Sequence, residues 1–233
     1  MGLGFPQSPA MPTLRCISSM ATRALLADLI AAWPEPVELV SVGGVDAARR
    51  VREGEAFDLV LLAEDALQSL ALEGHVQPQT LRGLADSDMG VAIPAGRPRP
   101  DISSEAALRA SVLAAGRIGY STGPSGKALL QRFEAWGLAD ELRPRLMQAP
   151  PGVPVARLVG EAQVDLGFQQ LSELLGQPGI ELLGTLPPEV AVRTRFSAAL
   201  GRDAQPGSAE LLEHFCGAAS ANLKLQHGMS QPT

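Results

Sequence analysis

The chain has 233 residues, enough for one large domain or two small ones, and carries a formal net charge of −6. A net acidic chain with 4% aromatic residues is a poor partner for nucleic acid or an anionic membrane, and it offers little for stacking on bases. No apolar run approaches the roughly 18 residues that a membrane span requires, so we expect no membrane span.

The N-terminal residues 1–12 show neither the basic region nor the continuous apolar region of a signal peptide. We expect these residues to form a disordered leader, with Met11 as an alternative start. As written, the chain is expected in the cytoplasm. If a signal was removed or the start is mis-assigned, the expected location is the periplasm.

Short apolar runs alternate with helical patterns in the first part of the chain. Strands are predicted at 14–18, 37–42 and 57–63, and helices at 21–33, 45–54 and 64–74. This βαβαβα order predicts a parallel sheet with right-handed crossovers. A further strand is predicted at 89–96, before a proline-rich stretch that resembles a domain boundary.

A second cycle of strands and helices follows this boundary. Its first helix is predicted to be capped by Ser103 or Ser104. The predicted strands are 117–121, 143–149, 164–170, 180–186 and 190–202, and the predicted helices are 103–116, 125–138, 153–162, 171–177 and a closing helix at 207–226. A polar tail at 227–233 ends the chain.

This order predicts an α/β protein of two lobes, each a mostly parallel sheet flanked by helices. Lobe one comprises 13–90 and 198–226, and lobe two comprises 91–197. Two strands, near 89–96 and 190–200, join the lobes as a hinge. A ligand cleft is expected between the lobes, at the carboxyl ends of the parallel strands.

Three strand-to-helix turns carry small polar residues, at 18–23, 42–49 and 120–127. Hydroxyl and glycine residues at a helix start have two interpretations. They cap the helix, or they and the backbone N–H groups bind an anion at the positive end of the helix dipole. For any one turn capping is the simpler interpretation, but three such turns facing one cleft favour a binding site.

No catalytic residue is predicted, because no serine lies in a G-x-S-x-G turn and neither Cys16 nor Cys216 has a nearby base. The two cysteines are predicted to be buried thiols that form no disulfide. The three histidines lack the neighbours of a metal site. We therefore expect no metal and no cofactor.

The ordered set of motifs resembles the type 2 periplasmic binding proteins, specifically the molybdate- and tungstate-binding receptors of ABC transporters. The resemblance spans about residues 13–224. It is carried by the serine pair after the first strand, by GGVDAARRVREGEAFDLVLLAEDAL, and by the segment from GRIGYSTGPSGKALL to GEAQVDLGF. It implies a small anionic or polar ligand, and it makes an ABC-transporter permease a candidate partner.

The resemblance also implies a set of ligand-binding residues. In this family two serine hydroxyls, backbone amides and usually a tyrosine hold the oxyanion. Ser18 or Ser19 matches the first serine. The polar turns add Gly43, Gly44, Ser121, Thr122, Ser125 and Gly126 as candidate ligand-binding residues, with Val153 and Gln170 expected to line the rest of the cleft. The second serine is replaced near Gly44, and Gln170 takes the place of the tyrosine. Each lost donor should cost about 1.5–3 kcal/mol of binding, so a small organic anion is expected in place of molybdate.

The leading hypothesis is therefore a non-catalytic binding protein that closes two lobes around its ligand. The alternative is a cytoplasmic enzyme, such as a small-molecule isomerase, or a ligand sensor on the same fold. A buried titratable residue in the cleft would favour the enzyme. A third hypothesis, the effector part of a transcription regulator, needs a helix-turn-helix segment, and 1–12 are too few residues for one.

Overall fold

A computed structural model describes residues 12–233, and the leader predicted at 1–12 lies outside this range except for Pro12. The strands are β1 (Leu14–Ser19), β2 (Val37–Val42), β3 (Leu59–Ala63), β4 (Arg82–Pro94), β5 (Ile118–Tyr120), β6 (Leu146–Gln148), β7 (Leu166–Gln170), β8 (Ile180–Thr185), β9 (Arg193–Leu200) and β10 (Met229–Ser230). The helices are α1 (Arg23–Ala31), α2 (Gly44–Arg52), α3 (Glu64–Leu72), α4 (Glu105–Ala114), α5 (Pro124–Ala135), α6 (Ala139–Leu142), α7 (Val155–Gly160), α8 (Leu171–Leu174), α9 (Ser208–Cys216) and α10 (Ala221–Gln226). None of these helices is both long and apolar enough to cross a bilayer.

The strands form two lobes that share β4. In the first lobe the order is β2-β1-β3-β9-β4, and β10 pairs the other edge of β4. In the second lobe the order is β6-β5-β7-β4, and β8 also pairs β4. Strands β1–β3 and β5–β7 run parallel within their lobes, whereas β4, β8, β9 and β10 pair antiparallel. Both sheets are therefore mixed, where the sequence predicted mostly parallel ones.

Both faces of the first sheet are buried, which explains its uninterrupted apolar strands. Along β3, Leu59 and Leu61 join one hydrophobic cluster, while Val60 and Leu62 join the cluster on the opposite face. The second sheet is covered in the same way, with Val91 and Ala92 of β4 in different clusters. Helices pack on both faces of each lobe, so that only the strand ends remain for a ligand.

Strand β4 begins at Arg82, seven residues before the predicted start at 89. The missed half contains Asp86 and Asp88, which sequence patterns do not favour in a strand. Both carboxylates pair across the ladder with arginines of β9: Asp86 lies opposite Arg195 and Asp88 opposite Arg193. The opposite charges on facing strands make this polar segment a stable strand.

The predicted closing helix at 207–226 is interrupted. Helix α9 ends at Cys216, because Gly217 adopts an extended conformation with φ −66° and ψ 162°. A short 3-10 turn and α10 then complete the segment. In the predicted tail, Met229–Ser230 forms β10 on the edge of β4, and Met229 is buried.

The pairing of β4 locates the two crossings between the lobes. Its residues up to Asp88 pair with β9, whereas Met89 and those after it pair with β7 or β8. All of β9 pairs within the first lobe, from Arg193 onward. We therefore propose that the chain crosses near residues 89 and 192, in place of the predicted limits of 90 and 197.

Candidate functional site

A cleft of about 890 Å³ lies where the carboxyl ends of the parallel strands of both lobes meet. A residue at or just after the end of each such strand contributes to its wall: Ser19, Gly43, Ala63, Ser121, Ala149 and Gln170. This is the position at which open α/β sheets bind ligands. Its volume falls in the range of small-molecule sites, about 300–1,000 Å³.

Most of the predicted ligand-binding residues line this cleft. They are Ser19, Gly43, Gly44, Ser121, Thr122, Ser125, Val153 and Gln170. Two predicted residues, Ser18 and Gly126, do not line it. The cleft thus brings together polar turns that are far apart in sequence, and it draws them from both lobes.

The two serines at the end of β1 make different contacts. The Ser18 hydroxyl points into the sheet, donates to the Ser19 carbonyl at 3.0 Å and lies 2.8 Å from Ser41 Oγ. Neighbouring side chains of a strand point to opposite faces, so Ser19 faces the cleft. Its Oγ is buried and has no hydrogen-bond partner among residues 12–233.

Gly126 permits a close backbone approach next to the cleft. A Cβ at this position would lie 1.8 Å from the carbonyl oxygen of Ser121, so no other residue fits without moving the turn. The approach places α5 against the end of β5. The Ser121 and Ser125 hydroxyls then lie 3.0 Å apart at the helix start.

Two helices that begin at the cleft have no side-chain cap. Helix α2 starts after Gly43 and α5 after Gly123, and neither start receives a side-chain hydrogen bond. Among the α-helices of residues 12–233 only α4 has a side-chain cap, where Ser104 accepts a hydrogen bond from the N–H of Ala107 at 3.2 Å. In the described part of the chain, side-chain capping is therefore not observed at α2 and α5, and both of these starts lie at the cleft. Their first N–H groups remain available to an anion.

The adjacent glutamines that end β7 both contribute to the cleft and make different contacts. Gln170 donates through Nε2 to Thr194 Oγ1 at 2.9 Å, and its Oε1 is buried without a partner among the described residues. Gln169 accepts from the N–H of Ala156 at 3.4 Å and donates to Glu173 Oε1 at 2.9 Å. Sequence reasoning selected Gln170 and missed Thr194, which lies on β9 opposite Ser87.

Glu173, on α8, was also missed. It lines the cleft, and burial raises the pKa of its carboxyl to about 7, against the opposing effect of the Gln169 hydrogen bond. No local pattern marks this residue, because an acid in the first turn of a helix is ordinary. Its position beside a ligand cleft becomes visible only when α8 packs behind β7.

Positive groups at the cleft are mostly neutralised. Arg193 and Arg195 form ion pairs with Asp88 and Asp86 on β4. Lys127, in the first turn of α5, also lines the cleft, and within residues 12–233 it forms no ion pair. The positive charge left for an anion is therefore that of the helix starts and Lys127, and Glu64 and Asp65 add carboxylates to the same wall.

Contacts between the lobes border the cleft. Ser172, beside Glu173 on α8, donates its hydroxyl to the carbonyl of Ala21 in the first lobe at 2.9 Å. The Gln170–Thr194 hydrogen bond similarly joins β7 to β9. Both hydrogen bonds therefore depend on how the two lobes are placed relative to each other.

Comparison with known proteins agrees with this architecture. The periplasmic molybdate-binding protein of Azotobacter vinelandii superposes with a TM-score of 0.78, at 17% identity over 94% of this chain and 100% of that one. L-phospholactate-bound PEB3, a protein of Campylobacter jejuni, gives 0.72 at 12% identity, covering 94% and 100% of the two chains.

A relative in sequence is described as an aconitate isomerase of a Pseudomonas species. It is 29% identical over 184 residues, which is 78% of this chain and 70% of the relative. The family of bacterial extracellular solute-binding proteins matches residues 14–229. The chain therefore belongs to the bacterial extracellular solute-binding protein family, with the type 2 periplasmic-binding-protein architecture.

Proposed function

We propose that this protein binds a small organic anion, carrying a carboxylate and a hydrogen-bond donor, in the cleft between its lobes. The observation that carries the proposal is a pair of buried polar atoms with no hydrogen-bond partner within residues 12–233, Ser19 Oγ in the first lobe and Gln170 Oε1 in the second. Buried polar atoms are normally hydrogen-bonded, and two such exceptions lining one cleft are best explained by a ligand that satisfies them.

The chemistry of these two atoms favours an organic ligand over molybdate. With the Gln170 amide oriented to donate to Thr194, its Oε1 remains as an acceptor, whereas Ser19 Oγ can donate to an anion. A fully ionised tetrahedral oxyanion has no hydrogen to donate to Gln170. A hydroxy acid or a partly protonated polycarboxylate satisfies both atoms at once. The cleft of about 890 Å³ also exceeds what a five-atom oxyanion fills.

The carboxylate is expected at the uncapped starts of α2 and α5. Hydrogen bonds from backbone N–H groups, with the roughly +0.5 charge of each helix start, stabilise an anion without a paired cation. Lys127 adds a full charge at the second of these starts. This arrangement explains how a chain of net charge −6 binds an anion.

A permease of the ABC type is the proposed partner, and an extracytoplasmic location is the proposed site of action. Both follow from the family to which the chain belongs. A second candidate function is isomerisation of a small polycarboxylate. It is favoured by the similarity to an aconitate isomerase and by a carboxyl of raised pKa in the cleft.

The first test is a thermal-shift and calorimetric screen of the purified chain against molybdate, tungstate, sulfate, phosphate, citrate, malate and aconitate. A ligand at a hundredfold excess over its Kd stabilises the native state by about 2.7 kcal/mol. We expect stabilisation by one or more of the carboxylates and none by molybdate. Stabilisation by molybdate or tungstate alone would overturn the proposal.

Two variants connect the binding to the cleft. Ser19→Ala should weaken carboxylate binding by about 10- to 100-fold, because it removes a hydrogen bond worth about 1.5–3 kcal/mol to a charged group. Gln170→Ala should weaken it by about 2- to 12-fold, because it removes a bond worth about 0.5–1.5 kcal/mol to a neutral donor. Ser69→Ala, an exposed position on α3 outside the cleft, is the matched control and should bind normally. Equal affinity in all three variants would contradict the assignment of the site.

A further inference from the structure

Glu173 is placed in the wall of the cleft by contacts that do not require a charge. Its Oε1 accepts from Gln169 Nε2 at 2.9 Å, and Gln169 is itself held by the N–H of Ala156. Gln169 is buried to 3% exposure, so the donor is fixed in position. Glu173 thus has one oxygen anchored within the lobe, and the residue lines the space proposed for the ligand.

The fold alone does not account for a carboxyl group at this position. A glutamine would accept the same hydrogen bond from Gln169 without the cost of burying an ionisable group. The effects that shift the pKa of Glu173 are burial, which raises it, and the Gln169 hydrogen bond, which lowers it, and no cation among the described residues contributes. An uncompensated carboxyl beside a ligand cleft is characteristic of a group used in proton transfer.

We propose that Glu173 is a catalytic base that moves a proton between two carbons of a bound unsaturated polycarboxylate. The inference rests on the proposed carboxylate ligand and adds a reaction to it. The substrate class is an anion in which a CH or CH₂ group lies next to a carbon–carbon double bond and to a carboxylate. Such a proton is acidic enough for a carboxylate base when the developing charge is stabilised.

The reaction balances without a cofactor. Glu173 removes a proton from the saturated carbon, and the electron pair of that C–H bond forms a new double bond to the neighbouring carbon. The pair of the old double bond moves to the far carbon, which takes the proton back from the Glu173 carboxylic acid. The product is a positional or geometric isomer of the substrate, and Glu173 returns to its ionised form.

The rest of the cleft supports the charged transition state. The negative charge delocalises onto a carboxylate of the substrate, where uncapped N–H groups at the starts of α2 and α5 stabilise it. A base works best when its pKa lies near the operating pH, and the pKa of Glu173, about 7, satisfies this condition. Lys127 also lines the cleft, and its positive charge is available to the negatively charged substrate.

The experiment follows aconitate and the protein by proton NMR in D₂O, with binding measured separately by calorimetry. We expect interconversion of cis- and trans-aconitate with deuterium entering at carbon. Glu173→Gln should lower the exchange rate at least 1,000-fold while leaving aconitate bound and the fold intact by circular dichroism. The matched control is Glu134→Gln, at an exposed position on α5 outside the cleft, which should exchange normally.

The outcomes separate the two proposals. Aconitate that binds to the wild-type protein without isomerisation or deuterium uptake overturns the inference and leaves the binding function standing. Full exchange in Glu173→Gln also overturns it. Absence of binding by every carboxylate overturns both. If Glu173→Gln fails to fold, the pH profile of the wild-type protein decides. The isomerisation rate should rise about tenfold per pH unit below pH 7 and level off above it. A rate that does not change with pH would overturn the inference.

Discussion

At the scale of single residues, the site depends on how neighbouring side chains divide between faces. Ser18 completes the sheet by contacting Ser41, whereas Ser19 lines the cleft. On β7, Gln169 supports Glu173, and its neighbour Gln170 contacts Thr194. A shift of one residue along the strand would move each side chain to the other face of the sheet. Residues at strand ends are therefore positioned more precisely than residues in loops.

The buried carboxyl of Glu173 predicts an unusual dependence of stability on pH. In the unfolded chain the group titrates near its ordinary pKa of 4.5, and in the folded protein near 7. Between these values the folded state holds the proton more tightly, so the free energy of unfolding falls as pH rises from 4.5 to 7, and stays reduced above pH 7.

Glu173→Gln removes this dependence. We expect the variant to be more stable than the wild-type protein by roughly 3–4 kcal/mol at pH 8, and equally stable near pH 4, because each unit of pKa shift corresponds to about 1.4 kcal/mol. Urea denaturation at the two pH values measures the difference. A variant that is less stable than wild type at pH 8 would show that the carboxylate is a structural requirement.

Sequence reasoning located Ser19 and Gln170, because both follow from the order of strands and from a family resemblance. It left open whether Ser18 or Ser19 faces the ligand, since the choice depends on which face of β1 packs against α2. It missed Glu173 and Thr194 because each lies on an element whose approach to the cleft is set by tertiary packing. Local sequence carries no trace of such packing.

At the scale of elements, apolar periodicity predicted the strands that are buried on both faces. It failed where charges replaced apolar residues, as in the first half of β4. There Asp86 and Asp88 pair with arginines of β9 that lie 109 and 105 residues away along the chain. The closing segment shows a second limit. Its helical pattern continues through Gly217, but the backbone there is extended and α9 ends.

Substitution by alanine is expected to affect stability differently at Gly126 and at Gly43. Gly126→Ala should destabilise the protein by about 1–3 kcal/mol, because its Cβ would overlap the Ser121 carbonyl. Gly43→Ala should be nearly neutral, since no atom lies within 4 Å of the new Cβ and the backbone there has a φ of −57°. Urea midpoints of the two variants test this, and equal losses would contradict the packing described for α5.

At the scale of the whole molecule, β4 belongs to both sheets, so neither lobe has a complete sheet without the other. Each lobe also holds one of the two tryptophans: Trp33 packs against the first core and Trp136 against the second. Hydrogen bonds from Ser172 and Gln170 join the lobes at the cleft. The molecule is therefore expected to unfold as one cooperative unit despite its two cores.

Single-tryptophan variants test this expectation directly. Trp33→Phe leaves a reporter in the second lobe, and Trp136→Phe leaves one in the first. Within each variant, tryptophan fluorescence and far-ultraviolet circular dichroism should give the same urea midpoint, because the reporter's lobe unfolds together with the other. A fluorescence transition that precedes the dichroism transition in one variant would mean that the lobes unfold separately.

The uncapped starts of α2 and α5 have a consequence for the lifetime of the protein in a cell. The first N–H groups of these two helices meet no side-chain acceptor at the cap among residues 12–233, so an anion that accepts from them stabilises both turns. Because the ligand binds the folded state alone, filled molecules open less often than empty ones. Proteases that cut transiently opened chains would then remove empty molecules faster than filled ones, and the abundance of the protein would track the supply of its ligand.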